Sequence, residues 1–219
     1  MRKFHKQKIS IATLAIAVVF LSGCASMSSL QTARTTNKGK LGYGYGAGFV
    51  KSELPLEGVD TIDIGAPFME VSARYGITDN LDLGAKITLI GTGVIDAKYQ
   101  FLGDKESKIA GSAGLGLGYL SMSSGDTESK MFDIMVPMYF SYHPLSWVAV
   151  YVNPRYVLRL NSYSNDTESG SSNSGWYGVT TGIRLGKRVG FLLEYSYFGN
   201  SEISQPFSQV TGGIAIGIN

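Results

Sequence analysis

His143 has Ser141 on one side and Ser146 on the other, and a hydroxyl beside an imidazole is the pairing nucleophilic catalysis needs. It is the only histidine beyond residue 5, and the dipeptide His143-Pro144 reads more simply as turn chemistry, so no enzyme is expected. Asp126-Thr127-Glu128-Ser129 recurs as Asp166-Thr167-Glu168-Ser169. Paired acids on two neighbouring loops suit a hard cation such as Ca²⁺, but the ligands are few and no turn glycine sits at a fixed offset. These are read as solvated loops. Gly114-Leu115-Gly116-Leu117-Gly118 lacks the Lys-Ser/Thr of a phosphate loop and forms the small face of a strand. Cys24 is the only cysteine, so neither zinc-ligand spacing nor a disulfide framework is available, and no cofactor is expected.

The remaining chemistry lies in eleven charges spread along the chain: Glu70, Arg74, Asp82, Lys86, Asp96, Lys98, Asp133, Arg155, Arg159, Arg184 and Glu194. What they do depends on the elements that carry them. In Leu81-Asp82-Leu83-Gly84-Ala85-Lys86-Ile87-Thr88-Leu89 every odd position is apolar and every even one polar or glycine. Strand side chains alternate faces, so this segment has one greasy side and one charged side. The same period runs through 41–49, 69–77, 95–101, 109–119, 134–142, 148–160, 177–185, 191–197 and 210–218. The fold class is therefore all-β, with about ten strands (eight to twelve) of the length a tilted strand needs to cross a bilayer.

Short turns at 78–80, 103–106, 143–146 and 186–188 alternate with longer polar links at 52–61, 121–130, 161–175 and 200–205. Only Gly91-Thr92-Gly93 is short where a long link is due. That alternation suits an up-and-down antiparallel barrel with its short turns on the periplasmic rim. An even strand count then places both ends of the barrel in the periplasm.

Composition agrees. The chain has 219 residues, 28 glycines, 13 tyrosines, 16% charged residues and a net charge of +2. With a mean hydropathy of +0.06 it is too polar for a helical membrane bundle, and without a basic run beyond residue 8 it is no nucleic-acid binder.

The N-terminus has its own logic. Arg2, Lys3, Lys6 and Lys8 precede an apolar run from Ile9 to Leu21, too short to span a bilayer, which reads as a secretory signal over residues 1–23. Leu21-Ser22-Gly23-Cys24 resembles the bacterial lipobox, and the resemblance implies diacylglycerol and an acyl chain (palmitate) on Cys24. Ala25 and Ser26 are similar to the outer-membrane sorting class. Residues 24–38 are expected to be a flexible tether and 39–219 the barrel.

Alternation alone leaves the apolar face free to look out at lipid or in at a ligand cavity, as in a lipid-anchored soluble lipocalin-like barrel. Three features favour lipid. An Arg or Lys on the lipid side near the midplane costs about 2–4 kcal/mol, so all eleven charges must face a lumen, and in this register they do. The same face is rich in Gly, Ser and Thr, as a narrow interior requires. Tyr75, Tyr99, Phe101, Tyr142 and Trp147 gather toward one rim, and Phe49, Tyr119, Tyr156, Trp176, Tyr197 and Phe198 toward the other, similar to aromatic girdles.

Tyr75-Gly76-Ile77-Thr78-Asp79-Asn80-Leu81-Asp82-Leu83-Gly84 and Ile95-Asp96-Ala97-Lys98-Tyr99-Gln100-Phe101 resemble the turn and strand segments of small Gram-negative outer-membrane β-barrel proteins. Such barrels usually end in an aromatic residue, whereas this sequence ends Ile216-Gly217-Ile218-Asn219. The expected protein is an outer-membrane lipoprotein, bound to outer-membrane lipids, with a structural or surface-exposed role. Near-balance of lumen acids and bases favours a lumen closed by mutual pairing over a small or gated pore. The glycine strip of the first strand, beside Gly213 and Gly217, is expected to admit Tyr139, Tyr151 and Arg155 from the far wall. A lipid-modifying enzyme is the weakest alternative, since His143 falls on the periplasmic rim.

Overall fold

The structure is a computed structural model that describes residues 27–56, 59–125, 127–165, 169–200 and 206–218. Ten antiparallel strands follow one another around a closed barrel, and β1 pairs with β10 to seal it. They are β1 (Leu41–Leu56), β2 (Val59–Gly76), β3 (Leu81–Thr88), β4 (Gly93–Leu102), β5 (Ile109–Ser124), β6 (Thr127–Leu145), β7 (Val148–Ser164), β8 (Ser169–Leu185), β9 (Val189–Asn200) and β10 (Phe207–Ile216). Closure leaves no strand edge unpaired, which is the condition for backbone to lie in hydrocarbon.

The period-two pattern sets which side faces out. Leu83, Ile87, Ile95, Leu115, Leu117 and Leu193 are all exposed on the outer surface, while the polar positions between them turn inward. This excludes the lipocalin-like arrangement, which needs the reverse. An apolar exterior of this extent is a membrane surface.

Three of the links expected to be long polar loops are hairpins instead. The pairing of β1 with β2, β5 with β6 and β7 with β8 continues to Leu56↔Val59, Ser124↔Thr127 and Ser164↔Ser169. Ser, Thr and Tyr in these stretches are compatible with strand, and beyond the bilayer both faces meet water, so polarity there does not signal a loop. The wall is consequently uneven. It rises high at β1, β2 and β5 to β8 and stays low where β3 stops at Thr88.

Residues 27–38 correct the tether expectation. Met27, Ser28, Leu30, Thr32, Ala33, Thr35 and Thr36 are buried, because this stretch runs inside the barrel and not beside it. It leaves the short-turn rim at Lys38, bridged to Gly76, and ascends the lumen. The sequence holds the signal for this: 27–38 contains no glycine or proline and only two charges, Arg34 and Lys38, unlike a solvated linker. Cys24 and the signal segment 1–23 lie outside the described residues.

Candidate functional site

The lumen and the segment inside it form the only polar core of this barrel among the described residues, and strands around the whole wall hold the segment. At the short-turn end the Thr36 N–H donates to Asp82 Oδ2 at 2.7 Å and the Thr35 N–H to Gln100 Oε1 at 3.1 Å. Lys98 Nζ donates to Gln31 Oε1 at 2.9 Å, to the Thr32 carbonyl at 3.1 Å and to the Arg34 carbonyl at 2.9 Å. Between those two carbonyls, the Ala33 N–H donates to Ser141 Oγ at 3.2 Å, and the Ser112 hydroxyl donates to the Ala33 carbonyl. Asn153 Nδ2 donates to Ser29 Oγ at 2.7 Å.

Glu194 is the central anchor. Its carboxylate accepts from the Ser29 N–H (2.9 Å), the Ser29 hydroxyl (2.8 Å), the Leu30 N–H (2.6 Å) and the Tyr151 hydroxyl (2.9 Å). At the top of the described segment, Met27 donates its N–H to Gln209 Oε1 at 3.2 Å, and its carbonyl accepts from Arg155 Nη1 and Thr180 Oγ1. Buried polar groups need partners, and the segment supplies them to Glu194, Lys98 and Arg155.

All eleven charges singled out from the sequence point inward. Mutual pairing accounts for part of the set: Arg74 with Asp82 (2.6 Å) and Asp96 (2.8 Å), Lys86 with Glu70 (3.5 Å), Lys98 with Asp82 (3.8 Å) and Arg159 with Asp133 (2.6 Å). Glu194 and Arg155 bond to the segment's backbone, and Arg184 donates to the Lys187 carbonyl at 3.2 Å. The lumen is thus filled by ion pairs together with a segment of the same chain, and not by ion pairs alone. Beside the segment, near Arg74, Lys86 and Arg155, lies a cavity of about 50 Å³. That is room for a water or two.

The glycine strip admits different neighbours from those expected. A Cβ on Gly46 would lie 2.5 Å from Leu30 Cδ1, and one on Gly213 would lie 2.8 Å from the same atom. A Cβ on Gly42 would meet Ile218 at 2.7 Å. The strip is bare because the segment's Leu30 and the chain's own Ile218 pack there. Tyr139 and Tyr151 instead lie over Gly114 and Gly182 on adjoining strands.

Two girdle assignments are also corrected. Phe198 is fully buried and stacks on Phe207 at 5.4 Å, and Trp176 tilts against Phe207 at 5.6 Å. Strand alternation explains it, since Tyr195 and Tyr197 point out and Phe198 must therefore point in. The other nine aromatics stand on the lipid face.

His143 is buried at the end of β6, with Nε2 2.9 Å from Ser141 Oγ, while Ser146 sits in the turn beyond. Ser141 is already engaged by the Ala33 N–H, so the pair braces the segment. Asp126 and residues 166–168 lie outside the described residues. Glu128 forms a surface ion pair with Lys130 at 2.9 Å, and no acid or histidine cluster able to hold a metal occurs among the described residues.

On the short-turn rim Lys105 Nζ donates to the Thr35 carbonyl and hydroxyl, and burial there lowers its pKa from the usual lysine value. Asp104 accepts from the Ser107 hydroxyl and from the Glu106 and Ser107 N–H groups, which hold its carboxyl below the ordinary range.

A closed ten-stranded barrel with an apolar exterior and a polar, filled lumen is the architecture of a bacterial outer-membrane protein. The sequence from 17 to 214 matches the outer membrane protein beta-barrel domain, and the chain belongs to that family. Its location is the bacterial outer membrane. Similar solved structures include Neisserial surface protein A (15% identity, 81% of this chain and 97% of that one, TM-score 0.44). Others are Ail, the attachment invasion locus protein of Yersinia pestis (12%, 82% and 98%, 0.41), and the outer membrane protease OmpT from Escherichia coli (11%, 80% and 96%, 0.49). No curated protein matches the sequence.

Proposed function

We propose that this protein is an outer-membrane lipoprotein, acylated on Cys24, with a structural or surface-exposed role and a barrel that is a sealed body and not a channel. The observation that supports a sealed body is the burial of residues 27–36 along the lumen, bonded on all sides. A segment in that position occupies the space through which solute would pass. The hairpins of β5 to β8 run beyond the span of a bilayer-crossing strand and supply the surface it presents.

Planar-bilayer recording tests the sealed reading. Purified full-length protein gives no conductance steps, and a variant lacking residues 27–36 gives steady ones. Conductance from the full-length protein would establish a pore instead. Palmitate labelling of wild type and its loss in Cys24→Ala tests the acylation, and the Cys24→Ala barrel remains with the membrane because its outer face is apolar. A Cys24→Ala chain that is folded and water-soluble without detergent would overturn the membrane assignment.

A further inference from the structure

The two ends of the chain's hairpins differ in charge. The sequence of the four long links carries eight acids and one lysine, Lys130. The short-turn rim is the reverse, and its acids are confined to one side. Asp79 lies in the β2–β3 turn, and Asp104 and Glu106 lie in the β4–β5 turn with Lys105 and Lys108. From the β6–β7 turn round to the start of β1, the described rim holds no acid. It holds Lys187 and Arg188 in the β8–β9 turn and Lys38 and Lys40 before β1, all four exposed. Ile216 at the end of β10 pairs with Tyr43 on one side and Val189 on the other. The stretches that carry these cations therefore lie two strand spacings, about 10 Å, apart.

Two more cations stand inside this arc. Arg184 faces the lumen and is 6% exposed; its Nη2 donates to the Lys187 carbonyl at 3.2 Å, and its buried Nε has no partner. Arg34, on the threaded segment, donates from Nη2 to the Ser107 carbonyl at 2.7 Å and also has a buried Nε without a partner. Asp104 attracts Arg34 from beyond ion-pair distance, and no acid among the described residues pairs with Arg184. The two guanidinium groups act electrostatically on one another and on His143. Buried donors without acceptors call for an explanation, and here they gather with uncompensated positive charge at one mouth.

The short turns of an outer-membrane barrel face the periplasm. Lipid headgroups surround the outer wall, whereas Arg34 and Arg184 lie inside it. An anion serves those two only by approaching along the barrel axis from the periplasm. A single exposed ion pair contributes little, so an arc of separated cations suits a ligand that presents many anionic groups at once. The fixed polymer of that compartment is the cell wall, whose peptide stems carry free carboxylates, and carboxylates match guanidinium groups in a two-pronged geometry.

We propose that the short-turn mouth is a docking surface for the cell wall. Peptide-stem carboxylates lie along the arc of Lys187, Arg188, Lys40 and Lys38, with Arg184 and Arg34 at its inner edge. The sealed barrel is then fixed to the layer beneath it through its own rim.

The test is co-sedimentation of the full-length protein, held in phosphatidylcholine nanodiscs, with purified cell-wall sacculi. Wild type pellets with the sacculi and is released as salt rises, because screening weakens exposed charge pairs. Sacculi whose carboxyl groups have been amidated bring down none. Lys187→Glu with Arg188→Glu abolishes pelleting and Arg184→Gln weakens it, while Lys130→Glu, in a long link, pellets as wild type does. Heat-modifiable gel migration confirms that each variant is folded. Failure of wild type to pellet overturns the proposal, as does pelleting undiminished by amidation, by the double reversal or by Arg184→Gln. Nanodiscs containing phosphatidylglycerol separate the wall from lipid. Undiminished pelleting from them agrees with an axial site, and its loss assigns the arc to anionic headgroups and overturns the docking.

Discussion

The Leu30 N–H and the Glu194 carboxylate, 164 residues apart in sequence, meet at 2.6 Å in the middle of the barrel. Leu30 is also the one non-glycine residue among those described with a positive φ, at 46°. A leucine held there costs about 1–2 kcal/mol locally, which the carboxylate and the packing of Leu30 on Leu192, Ala215 and Ile218 offset. The bend turns two successive N–H groups, Ser29 and Leu30, onto one acid.

Replacing that acid loosens the segment without removing wall. Glu194→Gln has one carbonyl oxygen for four donors and adds an NH₂ among them. Hydrogen bonds to a charged group contribute about 1.5–3 kcal/mol each, and the losses overlap, so a net cost of about 2–4 kcal/mol is expected. Heat-modifiable gel migration reports it as a lower midpoint, and bilayer recording reports it as flickering steps absent from wild type. An unchanged midpoint would mean that the segment is held elsewhere.

Gly46 and Leu30 form a second, steric test. Gly46→Ala places a methyl against Leu30 Cδ1, and overpacking of this kind costs about 1–3 kcal/mol. Leu30→Ala alone loses packing. Combined, the two substitutions relieve one another, so the double variant is more stable than the sum of the singles predicts. Strict additivity would show that Leu30 does not occupy the strip.

The Arg74 cluster is balanced by charge as well as shape. Arg74→Ala leaves Asp82 and Asp96 buried without their guanidinium, a change worth about 3–5 kcal/mol in comparable buried pairs. Adding Asp96→Asn recovers part of the loss. Recovery in the heat-modifiability midpoint separates uncompensated charge from lost packing, because the second substitution restores no volume.

Strand number, alternation and the inward set of eleven charges were legible because each follows from a local rule with a short period. Leu81 to Leu89 declares its two faces without reference to anything distant. The lumen's occupant was not legible in the same way. Gln31, Ala33 and Thr35 carry no periodic signal, and their partners Tyr139, Ser141 and Gln100 lie 65 to 108 residues away. A segment without secondary structure reads as a tether until the cavity that receives it is known. The hairpin tips are illegible for a related reason: their polarity reads as loop, although water on both faces permits a polar strand.

The outward face makes a depth-dependent prediction that tests the membrane assignment apart from the lumen. Leu115 and Tyr119 are both exposed on β5, the first opposite Ala97 and the second opposite Gly93, nearer the long-loop end. An arginine near the bilayer midplane of a transmembrane barrel costs about 2–4 kcal/mol, falling to about 0–1 near the interface. Leu115→Arg therefore lowers refolding yield and stability in lipid vesicles far more than Tyr119→Arg does. In a water-soluble barrel both positions face solvent and neither substitution costs much, so equal and small effects at the two sites would contradict a lipid-facing surface. A steep difference between them places Leu115 in hydrocarbon and Tyr119 at its border, as the tyrosine side chain, apolar in body and polar at its tip, favours.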